Sequence, residues 1–246
     1  MPNESGTWIM RGIPADDPRC IHTPDQLLSY INQIGFLPLF MNEVPGFSVE
    51  ELTVPDHWWT GDPAHDPWEW RQILAGGGQV AYGKFFNKKA GFISLKWLPY
   101  FINYRRDGYD FDALWDDGKA SYRQKKIMDL FTDDAELFSF DAKAQAGFGK
   151  GGEKNFDGVI TDLQMNLYLC IRDFRKKTNK SGQEYGWSIA IYSTPEHIWG
   201  YDTVTSAYRE DPVESGRKII AHVQEHFPEA TEAKIRTALG RGILPR

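Results

Sequence analysis

Apolar and polar positions along the chain follow one order of elements, and that order occurs twice. Leu27, Leu28, Ile31 and Ile34 recur at helical spacing. Thr23 stands at the N-cap, Pro24 at the first helical position and Gln26 at a capping-box distance. Gly35 follows as a stop, so the spacing predicts a helix over 23–34. The apolar run Phe36-Leu37-Pro38-Leu39-Phe40 is extended or turn-like, because proline keeps the residue before it out of the helical region. Residues 48–52 have room for one helical turn. Asp66 before Pro67 predicts a second helix that ends near Leu74 and is closed by Gly76-Gly77-Gly78. Residues 80–86 and 90–94 read as two strands around Asn87-Lys88-Lys89. Residues 95–104 are predicted helical, with a break at Pro99.

The second half repeats helix, helix, hairpin. Ile127, Leu130 and Phe131 share one face of a helix over 121–131, and Ser139 is placed as the cap of a short helix reaching Ala146. Phe156, Val159, Ile160 and Leu163 mark a third helix over 155–165. Residues 167–172 and 186–192 are predicted strands around a polar turn at 177–183. The expected fold is therefore α+β, with tandem winged-helix modules at 23–104 and 121–200. An irregular arm at 1–22, an acidic linker at 105–120 and a C-terminal helical segment at 201–246, divided at Pro228, complete it.

Composition adds limits. The chain has 246 residues, 41% of them hydrophobic and 25% charged, as in an ordinary globular protein. No apolar run approaches the ~18 residues of a membrane span, and the first residues lack the pattern of a secretory signal. Two cysteines, Cys20 and Cys170, argue against a disulfide framework and fit a reducing cytoplasm. The net charge of −6 lies in the first half: residues 1–100 carry −4, 101–120 carry −2, and the remainder is neutral. Within that neutral part Arg172, Arg175, Lys176, Lys177 and Lys180 stand against Asp173 alone, a local basic patch on the expected wing. Either it meets phosphate or it is a solvated tip that discourages edge pairing.

Four further groups carry candidate chemistry. Gly147 to Gly152, with Lys150 and Lys154, is a turn between helices or a phosphate contact; it lacks the Gly-Lys-Ser/Thr of a Walker loop. Trp58, Trp59, Asp62, Asp66, Trp68, Trp70 and Arg71 lie close together. They either wall a pocket for a flat base, or Asp62 and Asp66 cap and turn while the indoles pack on the hairpin. Asp110, Asp112, Asp116 and Asp117 form an acidic loop, read as solvated rather than metal-binding. Cys20 and His22 are too few for zinc and the six histidines do not cluster along the sequence, so neither metal nor cofactor is expected.

Thr60-Gly61-Asp62-Pro63, Asp66-Pro67-Trp68-Glu69-Trp70, Ala81-Tyr82-Gly83-Lys84, Gly147 to Lys154 and Tyr185-Gly186-Trp187 resemble the AlkZ-related bacterial proteins, over roughly residues 25–200. Those are similar to crosslink-repair and alkylpurine DNA glycosylases built from tandem winged helices. The resemblance implies a water-positioning Gln-x-Asp or Gln-x-Gln motif after a helix ending in Leu-Gly. At the nearest match, Ile34-Gly35-Phe36-Leu37-Pro38-Leu39, the two polar positions are Leu37 and Leu39, which cannot orient water. A second candidate, Leu163-Gln164-Met165-Asn166, keeps the spacing through Gln164 and Asn166 but lacks a carboxylate. The expectation is a DNA-binding protein associated with DNA repair, meeting duplex DNA through its wing, with catalysis left open. Glycosylase action on alkylated or crosslinked bases, with Gln164 and Asn166 positioning water, is one alternative. A protein-interaction module, its acidic first half suiting a basic partner, is the other.

Overall fold

A computed structural model describes residues 9–133, 135–179 and 181–240. Among these the chain forms two compact units, one of residues 9–97 and 220–240, the other of residues 98–219.

In the first unit α1 (Pro24–Ile34) is capped as its sequence dictates. Thr23 Oγ1 accepts from the Gln26 amide, and the Gln26 side chain accepts from the His22 amide at 2.8 Å, one residue before the usual capping-box position. Gly35, at φ 88°, turns the chain directly into β1 (Phe36–Pro38). Two 3-10 turns, Glu50–Leu52 and Pro55–His57, precede α2 (Pro67–Gly77). The expected end of α2 at Leu74 is too early: Gly76 and Gly77 stay helical, and Gly78 in the left-handed region stops it. The hairpin β2 (Val80–Phe86) and β3 (Lys89–Ser94) closes through Asn87 and Lys88, both at positive φ, as a two-residue primed turn requires. β1 returns to pair with β3, so the antiparallel sheet runs β1-β3-β2. Leu27, Ile31, Phe36, Phe47, Trp70, Phe86 and Phe92 fill the core between helices and sheet.

The second unit opens on α3 (Leu98–Arg106), where Pro99 lies in the first turn, where its missing N–H costs no helical bond, instead of breaking the helix. α4 (Phe111–Asp116), α5 (Tyr122–Met128) and α6 (Leu130–Asp133) follow, α5 with a full Ser121–Gln124 capping box. Next come β4 (Leu137–Phe138), α7 (Ser139–Gln145) and α8 (Phe156–Met165). Ser139 is the first residue of α7 and not its cap. The long hairpin β5 (Cys170–Thr178) and β6 (Glu184–Ser193) is joined on its far edge by β4, giving the order β4-β6-β5. Both sheets therefore place the last strand in the middle, beside a short strand delivered from between the helices. Ile127, Phe131, Phe156, Ile160, Leu163, Leu169 and Tyr192 make one continuous core.

β5 starts three residues later than its hydrophobicity suggests, because Leu167 takes φ 58° and closes α8. Its amide bonds Gln164 O at 2.8 Å and the Tyr168 amide bonds Leu163 O at 3.0 Å, the paired bonds of a Schellman end without its usual glycine. After α9 (Pro195–Trp199) and α10 (Tyr201–Val204), α11 (Pro212–His226) begins in the second unit and ends in the first, where α12 (Glu232–Leu239) follows. The Asn87 amide reaches Leu239 O at 3.4 Å, tying α12 to the first hairpin. No helix among the described residues is long and apolar enough to cross a membrane.

Gly91 tests the packing of the first sheet. A Cβ there would stand 2.4 Å from the Phe86 ring and 2.8 Å from Leu37 O, a backbone atom held by β1. Gly91→Ala is expected to destabilise by about 2 kcal/mol, within the range for overpacked cores. The measurement is urea unfolding, with the midpoint falling at unchanged slope.

Candidate nucleic-acid interface

The β5–β6 hairpin extends beyond its core and exposes its tip. Lys177 pairs with Tyr185 and Arg175 with Ile189, so Lys176 faces residues 186–188 across a bulge at Gly186, φ 76°. The bulge turns Trp187 outward until it is 92% exposed; Tyr185 is 53% exposed. Asn179 ties the turn, its Oδ1 accepting from the amides of Ser181 at 3.0 Å and Gln183 at 2.9 Å. Lys180 lies outside the described residues.

The basic patch is less bare than its sequence. Glu136, from the segment before β4, reaches Arg175 at 3.0 Å and Arg172 at 3.7 Å, and Asp173 holds Arg175 at 2.7 Å. Asp173 and Glu136 raise the Arg175 pKa and partly neutralise the patch. Asp173 is thus not the sole counter-charge: the fold adds Glu136. Lys177 Nζ lies 4.3 Å over the Phe140 ring, and Lys176 is exposed. Lys150 and Lys154 are also exposed, on a glycine loop closed by the Glu153 amide on Gly147 O at 2.9 Å. A Cβ on Gly152 would sit 2.2 Å from Gly147 O, so the tightness of the turn itself explains that glycine.

In the first unit the tryptophan cluster does come together. Asp66, fully buried, accepts from the amides of Trp59, Gly61 and Trp68 at 3.1, 2.9 and 2.8 Å. Its carboxylate is thereby both helix cap and loop clamp. Asp62 holds His65 Nδ1 at 2.8 Å, which lowers its pKa. Trp58 donates to Thr53 Oγ1 at 3.0 Å, Trp70 is buried, and the Arg71 guanidinium stacks 3.7 Å over Trp68. Trp59 is the most exposed of the four indoles, at 43%, and takes φ 63°.

Gln164 is fully buried on the core side of α8. Its Nε2 donates to Ile160 O at 3.2 Å. Asn166 is half-buried and donates to Asp162 O at 3.0 Å. The solvent face of α8 presents Asp157 and Asp162.

The charged centre of the second unit is not legible in the sequence. Arg106, 3% exposed, donates from Nη1 to Glu196 at 2.5 Å and from Nη2 to Leu167 O at 2.5 Å, and lies 4.6 Å over the Tyr168 ring. Burial alone would lower its pKa, but the charge and hydrogen bond of Glu196, with Tyr208 and Tyr168, outweigh it and hold the guanidinium above its ordinary value. Burial also pushes the Tyr208 hydroxyl up to about 12. Beside this group opens a cavity of about 260 Å³ lined by Asp110, Phe111, Asp129, Tyr168, His197 and Tyr201 among others. Arg106 lines it too, and its buried Nε has no hydrogen-bond partner. Tyr201 donates to Asp110 at 2.9 Å on the rim. The available signal was an Arg105-Arg106 pair ending an apolar helix, but Glu196 stands 90 residues away.

Removing one partner of a buried ion pair strands the other charge. Glu196→Ala is expected to destabilise by about 3 kcal/mol, whereas Arg106→Met combined with Glu196→Leu costs much less. Chemical denaturation of the single and double variants checks this; equal losses would contradict it.

No curated protein and no solved structure gives a significant match to the chain. A family model described as AlkZ related matches residues 21–240, nearly the whole sequence, and the chain belongs to the AlkZ-related family.

Proposed function

We propose that this protein is a DNA-binding, DNA-repair-associated member of its family, built from two winged-helix units, and that it meets duplex DNA through the second wing. The observation that carries the reading is the β5–β6 hairpin, whose tip joins the exposed Lys176 and the half-buried Lys177 to the exposed rings of Tyr185 and Trp187. The shared order of elements, helix, short strand, helix and hairpin with the last strand central, supports the winged-helix assignment in both units. In the first unit the hairpin is buried along almost its whole length, which leaves the second as the one free to contact a partner.

The chemistry favours the wing over α8 as the point of contact. Asp157 and Asp162 on the outer face of α8 repel phosphate, while Lys176, Lys177, Lys150 and Lys154 attract it. Trp187 offers a flat, solvent-facing ring able to stack on an unpaired or unstacked base.

Lys176→Ala and Lys177→Ala are each expected to weaken duplex binding similarly on all sequences and to reduce the salt slope by about 1. Trp187→Ala is expected to cost ~1–3 kcal/mol of binding, most of it on DNA with an unpaired base. Fluorescence anisotropy across a salt series measures both, and absence of binding by the full chain at ~50 mM salt, where phosphate contacts are strong, would sink the proposal.

A second reading, excision of an alkylated base, gains support from the cavity beside Arg106. At about 260 Å³ it is smaller than the ~300–1,000 Å³ that holds drug-sized ligands, a size suited to a single base. Its aromatic walls and carboxylate rim suit a flat, positively charged ring. Asn166 is half-buried where Gln164 is fully buried, so it is the one of the two that solvent reaches, although neither lines this cavity. Release of free base from alkylated duplex, reduced in Asn166→Ala with the fold intact, is the expected result; intact bases after prolonged incubation with the unaltered chain exclude it.

A further inference from the structure

The last turns of α11 carry His222-Val223-Gln224-Glu225-His226. Positions 225 and 226 follow 222 by three and four residues, so their side chains lie on the same face of the helix as that of His222. One ligating atom from each, a ring nitrogen of His222, a carboxylate oxygen of Glu225 and a ring nitrogen of His226, lie within 4.8 Å of one another. The two imidazole centroids are 4.4 Å apart. Two of the six histidines thus meet on one helix face, contrary to the expectation that the histidines do not cluster.

The hydrogen bonds determine which nitrogen of each ring is available. His222 Nε2 is 2.9 Å from Ile34 O, and His226 Nδ1 is 2.9 Å from His222 O. A carbonyl oxygen only accepts, so both of these nitrogens carry the proton. The lone pairs of the neutral rings therefore reside on His222 Nδ1 and His226 Nε2. An imidazole whose N–H is anchored on a carbonyl while its other nitrogen stays open is the arrangement by which proteins orient a metal ligand. His222 is further fixed by Trp97, 4.3 Å away centroid to centroid, and by Phe36 at 5.7 Å. Glu225 and His226 are exposed, so an ion would enter from solvent.

We propose that His222, Glu225 and His226 form a site for a divalent transition metal of the zinc class. His222 Nδ1, His226 Nε2 and one Glu225 oxygen are the protein ligands. Two imidazoles and one carboxylate select such ions over magnesium or calcium, which prefer all-oxygen shells. Three ligands from one helix face leave at least one coordination position to water, the pattern of open rather than closed zinc sites.

The test uses the full chain without an affinity tag, stripped of metal. Zn²⁺ titration by calorimetry is expected to show one saturable equivalent, and Co²⁺ to give the visible absorption of a low-coordinate nitrogen–oxygen site. His226→Ala and Glu225→Gln change exposed side chains, so folding is retained and is checked by circular dichroism. His226→Ala is expected to weaken Zn²⁺ binding about tenfold or more, Glu225→Gln to weaken it less, and His65→Ala, elsewhere in the unit, to leave it unchanged. Absence of saturable binding, or equal affinity in His226→Ala, overturns the proposal.

Discussion

A guanidinium with 3% exposure keeps its charge only where partners surround it, and the second unit is organised around meeting that demand for Arg106. Its two terminal nitrogens reach the start of α9, through Glu196, and the end of α8, through Leu167 O. Leu167 is a non-glycine residue in the left-handed region, a conformation that costs free energy unless its surroundings hold it there. The bond from Arg106 helps to hold it. That turn decides where β5 begins, and with it the register of the long hairpin against β6 and β4. The position of the wing is thus linked, through one backbone carbonyl, to a charge buried far from the tip.

The two units share a strand order but differ in the fate of their hairpins. In the first, Val80, Ala81, Tyr82, Phe85, Phe86, Phe92 and Ile93 are all buried, and the turn is the shortest a hairpin allows. In the second, burial fades along β5 and β6 from Cys170 and Ser193 toward the turn, and the distal half is left to solvent. A similar topology yields a structural hairpin in one case and a projecting one in the other. The difference lies in what the distal residues do: in the first unit aromatics and β-branched residues stay buried, and in the second lysines, polar residues and the rings of Tyr185 and Trp187 are left to solvent.

Charge shows the same dependence on context. Sequence-local counting gives the wing a large positive excess, yet Glu136 crosses to Arg172 and Arg175 because β4 is the strand that pairs beside β6. These pairs are half exposed and contribute little stability, of order 0–1 kcal/mol each. Their effect is to concentrate the remaining free charge on the lysines nearest the tip, next to Trp187.

By itself the sequence determined the elements whose causes are local. Thr23, Asp66 and Ser121 cap the helices they precede, because a side-chain oxygen satisfies amides only two or three residues ahead. The helical spacing of Phe156, Val159, Ile160 and Leu163, the strands of both hairpins and the break near Pro228 are legible for the same reason, as is membership of the AlkZ-related family. The left-handed Leu167 and the delayed start of β5 were not legible, since the bond from distant Arg106 helps to hold that turn; the later stop of α2 was not, because three consecutive glycines each offer a stop. The same holds for the candidate sites. The basic run on the wing can be read from the chain, and so can the His-x-x-Glu-His spacing, though only once it is known to lie on a helix. The Arg106–Glu196 pair, the cavity beside it, the burial of Gln164 and the ring tautomer of His222 were decided by the tertiary structure alone. Each depends on a partner brought from a distant part of the chain or on a carbonyl oriented by the fold, and no local pattern of residues encodes that approach.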